Sequence, residues 1–313
     1  FSIKGPVYQT AWFIILCITV LVTLIYLYIS LRERNLRKEK DLLEEMVEER
    51  TAEVVTKSVE LEEKNRDTTA SIRYAERIQA AMLPPENFFN DTFVLFMPKD
   101  IVSGDFYWMH DSGFKQYIAA VDCTGHGVPG AFMSIIGHNS LNKIVRESGI
   151  TRPSEILDRL NIEVVHALLQ RSEKAVRDGM DISLISYDIL DHYVEYAGAY
   201  QPLYHVRDGK VTVLKADRFP VGMIDGQAKK IFTNHRLDVM KGDMLYIFTD
   251  GYADQFGGRE EKKFKTINIR SLLAKIYKLP VEEQKRLLEN AIRDWMGDTY
   301  QVDDILFIGT RVP

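Results

Sequence analysis

The sequence predicts an α+β fold of mainly antiparallel strands flanked by helices, preceded by a transmembrane helix and a long helical linker. Three observations carry this expectation. Neither glycine nor proline occurs from Val7 to Leu83, and of 19 glycines only Gly5 precedes Gly104. Short β-rich runs recur after Pro84 with hairpin-like spacing, and between them lie segments of helical periodicity that begin at or just after proline.

Residues 11–31 (AWFIILCITVLVTLIYLYISL) carry no charge. At ~1.5 Å per residue this run just covers a hydrocarbon core of about 30 Å, which identifies a transmembrane helix. A cleaved signal peptide would have a shorter apolar region, basic residues before it and small residues after it. Here Arg32, Arg34, Arg37, Lys38 and Lys40 follow the span and only Lys4 precedes it, so the C-terminal side is expected in the cytoplasm. The chain opens on Phe1, and residues 1–10 are read as the end of an extracytoplasmic segment of a longer protein.

Residues 32–83 are expected to continue as a charged helix. A seven-residue series of apolar or small positions runs Val47, Val54, Leu61, Thr68, Ala75, Met82, while the companion seam reads Thr51, Ser58, Asn65, Ile72, Gln79. A core so polar makes a weak coiled coil. Two readings fit it: a solvated spacer helix, or a homodimeric signalling linker kept marginal so that a small input changes its packing.

The 230 residues from Pro84 onward suit one good-sized domain. Strands are expected at 93–97, 116–123, 181–190, 193–197, 211–214, 243–249 and 305–310, and helices at 131–146, 153–171 and 281–295. The Asp208-Gly209 pair between apolar runs marks an antiparallel hairpin. This pattern excludes a parallel doubly wound sheet.

Aspartates beside glycines sit at the ends of several runs: Ser103-Gly-Asp105, Val121-Asp122 before Cys-Thr-Gly-His-Gly127, Phe248-Thr-Asp250-Gly251, and Val302-Asp303-Asp304. Taken singly, each reads as turn chemistry. Carboxylates at strand ends can also point at one centre, but as bare anions they repel. A divalent cation resolves that, and an all-oxygen set favours Mg or Mn over Zn.

The strings SGDFYW (103–108), VDCTGHGVPGAFMS (121–134), GMDISL (179–184), FTDGYAD (248–254) and DDILFIG (303–309) together resemble the SpoIIE/RsbU-type protein phosphatases of bacteria. These are members of the metal-dependent PPM group, to which type 2C phosphatases belong. The segment Ala75-Glu-Arg-Ile-Gln-Ala-Ala-Met-Leu-Pro84 is similar to the helix that leads into that domain and is associated with its regulation. The resemblance implies a central β-sandwich flanked by helices for 84–313 and a site holding two Mn2+ or Mg2+ ions. Asp105 would bind one ion, Asp122 would bridge both, the backbone carbonyl of Cys123 would add a ligand, and Asp250 and Asp303 would complete the set. Asp181 and Asp304 are expected just behind these ligands. The implied activity is hydrolysis of phosphoserine or phosphothreonine on a regulatory partner of the anti-sigma-factor-antagonist kind, from the bacterial inner membrane. His126 reads either as a general acid for the leaving group or as a hydrogen-bonded turn residue. The chain departs from the family pattern at Ala197-Gly198-Ala199-Tyr200 and at Gln255-Phe-Gly-Gly258, which puts substrate choice in question.

The formal net charge of −5 gives no global field to recruit nucleic acid. A sensor histidine kinase would share the membrane-plus-helix layout but needs a phosphoacceptor on the linker, and the first histidine is His110. A binding module without catalysis would have no use for clustered anions. With Cys17 in the span and Cys123 in the globule as the two cysteines, no disulfide is expected.

Overall fold

The computed structural model describes Tyr8 and residues 11–169, 178–222 and 231–313. Apart from Tyr8, the expected extracytoplasmic stub 1–10 lies outside the described residues, as do residues 170 and 171 of the helix expected at 153–171. The chain divides into two compact units, Phe1–Thr69 and Ala70–Pro313.

Helix α1 (Ala11–Met82) begins in the first unit and continues into the second. Its N-terminal part is long and apolar enough to cross a membrane, and its apolar side chains there are exposed. The two threonine hydroxyls within that part are satisfied internally: Thr19 Oγ1 donates to the Ile15 carbonyl at 2.8 Å and Thr23 Oγ1 to the Thr19 carbonyl at 2.7 Å. Beyond it, one-turn ion pairs such as Glu53–Lys57 and Glu60–Lys64, each 2.7 Å, line an exposed surface. Such pairs add only about 0.3–0.5 kcal/mol each, so they keep the linker helical and soluble without fixing a partner.

The second unit is a sandwich of two five-stranded sheets. One has the order β1 (Thr92–Met97), β12 (Ile305–Arg311), β9 (Met244–Phe248), β6 (Leu203–Arg207), β7 (Lys210–Leu214). The other has the order β2 (Phe106–Asp111), β3 (Lys115–Cys123), β4 (Met180–Asp188), β5 (Tyr193–Ala199), β8 (His235–Asp238). Every ladder in both sheets is antiparallel.

Both faces of each sheet are covered, which is why the central strands read as continuous apolar runs. In β3, Ile118 and Ala120 face the inter-sheet core, while Tyr117, Ala119 and Val121 face the cluster formed with α2 (Gly127–Asn142) and α3 (Pro153–Leu169). In β9, Leu245 and Ile247 point inward, whereas Met244, Tyr246 and Phe248 pack toward α5 (Thr266–Ile276) and α6 (Val281–Met296). The result is four layers, helix–sheet–sheet–helix.

The expected strands and helices form, with shifted ends and additions. The strand expected at 181–190 stops at Asp188, because its Oδ1 accepts the Leu190 and Asp191 amides at 3.1 and 2.9 Å and turns the chain. Helix α2 starts four residues before the expected Ala131 and passes into a π turn at Lys143–Glu147. Strands β2, β6 and β8 were not anticipated, nor were α5, the single turn α4 (Gly251–Asp254) and the small hairpin β10 (Phe256–Gly257) with β11 (Lys262–Lys263). Helix α5 carries no side-chain cap, and Lys265 before it sits at φ +69°, so the usual start signal is missing.

Candidate active site

Antiparallel order brings the aspartates together. Asp105 precedes β2, whose start pairs with the end of β3 (Phe106 opposite Val121), and there Asp122 lies opposite Asp181 at the start of β4. In the other sheet the end of β9 pairs with the start of β12 (Phe248 opposite Phe307), placing Asp250 beside Asp303 and Asp304. All six carboxylates therefore lie at one end of the sandwich, around a cavity of roughly 280 Å3 that Cys123, Thr124, Gly125 and His126 also line.

Glycines make this convergence possible. A Cβ on Gly130 would sit 2.8 Å from the Gly104 Cα, so the first turn of α2 rests directly on the loop that delivers Asp105. At Gly251 an added Cβ would lie 3.0 Å from the Asp304 carbonyl carbon, so a side chain there would drive the Asp250 turn away from β12.

The Asp105 carboxylate is buried, and its Oδ2 has no hydrogen-bond partner. Burial first, and then the neighbouring Asp122 charge, hold its pKa well above the ordinary carboxylate range. Burial and the charges of Asp250, Asp181 and Asp303 do the same to Asp122. For Asp250 the causes are burial and Asp303, and for Asp181 burial and Asp250, which push Asp181 to about 7. Among the described residues no three His, Cys, Asp or Glu side chains form a closed ligand group. The carboxyl groups crowd the cavity, Asp122 lying within hydrogen-bonding reach of both Asp105 and Asp250. An orphaned buried carboxylate oxygen, an all-oxygen donor set and uncompensated negative charge fit hard divalent cations.

The remaining expected residues take distinct places. Asp304 is buried and accepts the Lys99 amide at 2.7 Å and the Gly104 amide at 2.8 Å, which ties the Asp105 loop to the opposite sheet. Asp303 faces the cavity, and its Oδ1 accepts the Asp304 amide at 2.9 Å. The Cys123 side chain is buried in the core beneath α2, and burial pushes its thiol far up, so its sulfur takes no part. His126 stands at the N-terminus of α2 on the cavity rim, half exposed, with Nδ1 2.8 Å from Asp100 Oδ2.

Four contributors receive no role from the sequence, although Gln79, Ser103 and Thr124 stand inside its motif strings. Asp100 holds His126 and has no motif of its own. Thr124 exchanges hydrogen bonds with Gly179, its Oγ1 3.0 Å from the Gly179 carbonyl, and so anchors the turn after Asp122. Gln79, near the end of α1, donates to the Ser103 carbonyl at 2.6 Å and to Ser134 Oγ at 2.8 Å, and accepts the Ser103 amide at 3.1 Å. Ser103 itself accepts the Asp105 amide on Oγ at 3.0 Å. A polar residue at a seam position was the available signal for Gln79.

Comparison with known proteins agrees with this geometry. The family model described as Stage II sporulation protein E (SpoIIE) matches residues 112–313, more than half of the chain. Among solved structures, the SiaA-PP2C domain of Pseudomonas aeruginosa is 28% identical with a TM-score of 0.73, over 80% of this chain and 98% of that one. The PP2C phosphatase domain with a regulatory fragment of SpoIIE from Bacillus subtilis is 21% identical with a TM-score of 0.58, over 71% of this chain and 62% of that one. The RsbU and RsbW domains of a Mycobacterium tuberculosis protein give 20% identity and a TM-score of 0.55, over 71% of this chain and 60% of that one. This chain thus spans less than two thirds of the latter two. A search of curated proteins gives no significant match. With its family model and its sandwich in agreement, the chain belongs to the SpoIIE family of PPM-type serine/threonine phosphatases.

Proposed function

We propose that the chain is a membrane-anchored phosphatase that hydrolyses phosphoserine or phosphothreonine on a regulatory protein partner of the anti-sigma-factor-antagonist kind. The observation that carries this is the convergence of Asp105, Asp122, Asp250 and Asp303 on one cavity, with Asp105 Oδ2 buried and partnerless. Asp105, Asp122, Asp250, Asp303 and the Cys123 carbonyl would hold two Mn2+ or Mg2+ ions. When bound, such ions neutralise the phosphoryl oxygens and lower the pKa of a water for in-line attack at phosphorus.

The chain's own residues fix the geometry. Asp304 fastens the Asp105 loop across the sandwich, and Asp181 adds a carboxylate beside Asp122 to accept a proton. His126, oriented by Asp100, is the donor for the departing seryl or threonyl oxygen. Clustered uncompensated anions are costly to fold around, which argues against a module that only binds.

The basic cluster Arg32–Lys40 after the apolar span supports a single-pass helix in the inner membrane with the phosphatase unit in the cytoplasm. The seam at 32–83 supports a parallel homodimer, and the joined RsbU and RsbW domains of the M. tuberculosis relative support a regulatory protein as partner. The test is hydrolysis of p-nitrophenyl phosphate by the full chain in detergent with Mn2+. Turnover is expected to vanish in the Asp122→Asn, Asp250→Asn double variant, and equal rates in the two chains would overturn the proposal.

A further inference from the structure

Beside the carboxylate end, the edge of the β6–β7 sheet carries an open groove of roughly 750 Å3, the size of many ligand clefts. Its walls include Tyr200, Pro202 and Tyr204, and its rim holds Lys215, Arg218 and Arg270. All three cations are exposed, and among the described residues none makes an ion pair. The Arg270 guanidinium lies 5.8 Å from the centre of the Tyr204 ring. Asp217, which lies between Lys215 and Arg218 in sequence, turns its carboxylate toward Thr233 and forms no ion pair with them among the described residues. Its carboxylate accepts the Thr233 amide at 2.7 Å and the Thr233 hydroxyl at 3.0 Å.

The groove sits at the same end of the sandwich as the carboxylates. The Tyr204 ring is 4.7 Å from that of Phe248, two residues before Asp250. The chain bends at Arg218 and continues to Val221, which forms an isolated bridge with Met180, itself opposite Cys123 in the β3–β4 ladder.

Tyr200 ends the stretch Ala197-Gly198-Ala199-Tyr200. It holds φ +57°, an uncommon conformation for a bulky residue, and hydrogen bonds pin it there: its amide donates to the Asp217 carbonyl at 2.8 Å, and the Asp217 amide donates to the Gly198 carbonyl at 3.0 Å. The outcome is an aromatic ring displayed on the groove wall, with 52% of the residue exposed.

We infer that this groove docks an acidic segment flanking the phosphorylated residue of the substrate protein, with Lys215, Arg218 and Arg270 reading its carboxylates and Tyr200 supplying an apolar platform. The inference rests on the phosphatase reading and specifies its substrate class. A long polyanion such as nucleic acid fits worse, because it would have to pass the neighbouring aspartates. A short acidic stretch leading from the phosphate does not.

The test uses the full chain in detergent with Mn2+ and a series of phosphothreonine peptides identical except for Glu, Gln or Lys in the flanking residues. The wild type is expected to prefer the Glu peptides over the Gln peptides by about tenfold in kcat/KM, mostly through KM, with the preference shrinking as salt rises. The doubly exposed variant Lys215→Glu, Arg218→Glu is expected to turn over p-nitrophenyl phosphate at the wild-type rate while shifting its preference to the Lys peptides, and Arg270→Gln is expected to weaken the Glu preference alone. Wild-type indifference to flanking charge, or an unchanged ranking in the charge-reversed variant that still cleaves the small ester, overturns the docking inference alone. Failure of the wild type on the small ester removes the phosphatase reading and this inference with it.

Discussion

Gln79 and Ser103 exchange two hydrogen bonds, with the amide side chain of α1 donating to the Ser103 carbonyl at 2.6 Å and accepting the Ser103 amide at 3.1 Å. Ser103 is two residues from Asp105 and caps its amide, so the end of the linker helix grips the backbone that presents the buried Asp105 carboxylate. Gln79→Ala should raise the Mn2+ concentration needed for half-maximal turnover at least several-fold. It should also cost about 1–3 kcal/mol of stability by stranding buried polar groups. A Mn2+ titration of activity beside a urea melt separates the two effects, and unchanged metal dependence would reduce Gln79 to a helix anchor.

The carboxylate cluster makes a prediction that needs no turnover. Removing one charge relieves repulsion, so Asp122→Asn in EDTA should melt a few degrees above the wild type in EDTA. At ~2–4 °C per kcal/mol for a unit of this size, relief on the order of 1 kcal/mol is readable by differential scanning fluorimetry. Adding Mn2+ should raise the wild-type Tm and leave that of the variant nearly fixed. The reverse order would mean that the cluster does not bind cations.

Away from the site, Asp243 governs acid stability. Burial alone would raise its pKa, but Arg207 at 2.5 Å, the Met240 amide and His205 at 2.9 Å together bring it down to about 2. A depressed carboxylate stabilises the fold above its unfolded value near 4 and loses that contribution as pH falls toward 2. The gain is on the order of 2 kcal/mol at neutral pH. Urea midpoints measured from pH 6 to pH 2.5 should therefore drop more steeply in the wild type than in Asp243→Asn, which starts lower and stays flatter.

Gly130→Ala tests the contact between α2 and the Asp105 loop. The new methyl would clash with the Gly125 carbonyl oxygen and meet the Gly104 Cα at 2.8 Å, which something must relieve. Overpacking of this kind costs about 1–3 kcal/mol, and here the displaced element carries Asp105. Activity should fall by more than tenfold while far-UV circular dichroism stays native, and full activity would show that the loop yields freely.

The linker makes a prediction about assembly. The seam through Val47, Val54 and Leu61 leaves these side chains exposed in the single chain, so light scattering in detergent should give twice the chain mass. Glu substitutions at Val54 and Leu61 should return it to one chain.

Much of this was legible in residue order. Beyond the long apolar run and helical linker, the central strands announced themselves because both faces of each are buried, giving the run QYIAAVDC around Asp122 and ILFIG after Asp304. Short or edge elements did not: β8 is four residues long with a half-exposed pattern, and α5 lacks a capping residue. At the site, the aspartates were visible because each sits beside a glycine or at a strand end. Asp100 and Thr124 were not, since a lone polar residue in a loop carries no periodic signal.

The sequence by itself determined the kinds of element and the chemistry that Asp105, Asp122, Asp250 and Asp303 can perform, because periodicity and side-chain type are local properties. Only the tertiary structure decided that Gln79 holds the Asp105 loop, that Asp304 at the cavity accepts the Lys99 and Gly104 amides, and that Tyr200 stands on the wall of a basic groove. Each of these depends on which groups the tertiary fold brings within hydrogen-bonding reach across 17 to 205 positions of sequence, from Tyr200 with Asp217 to Lys99 with Asp304, and no local pattern encodes that.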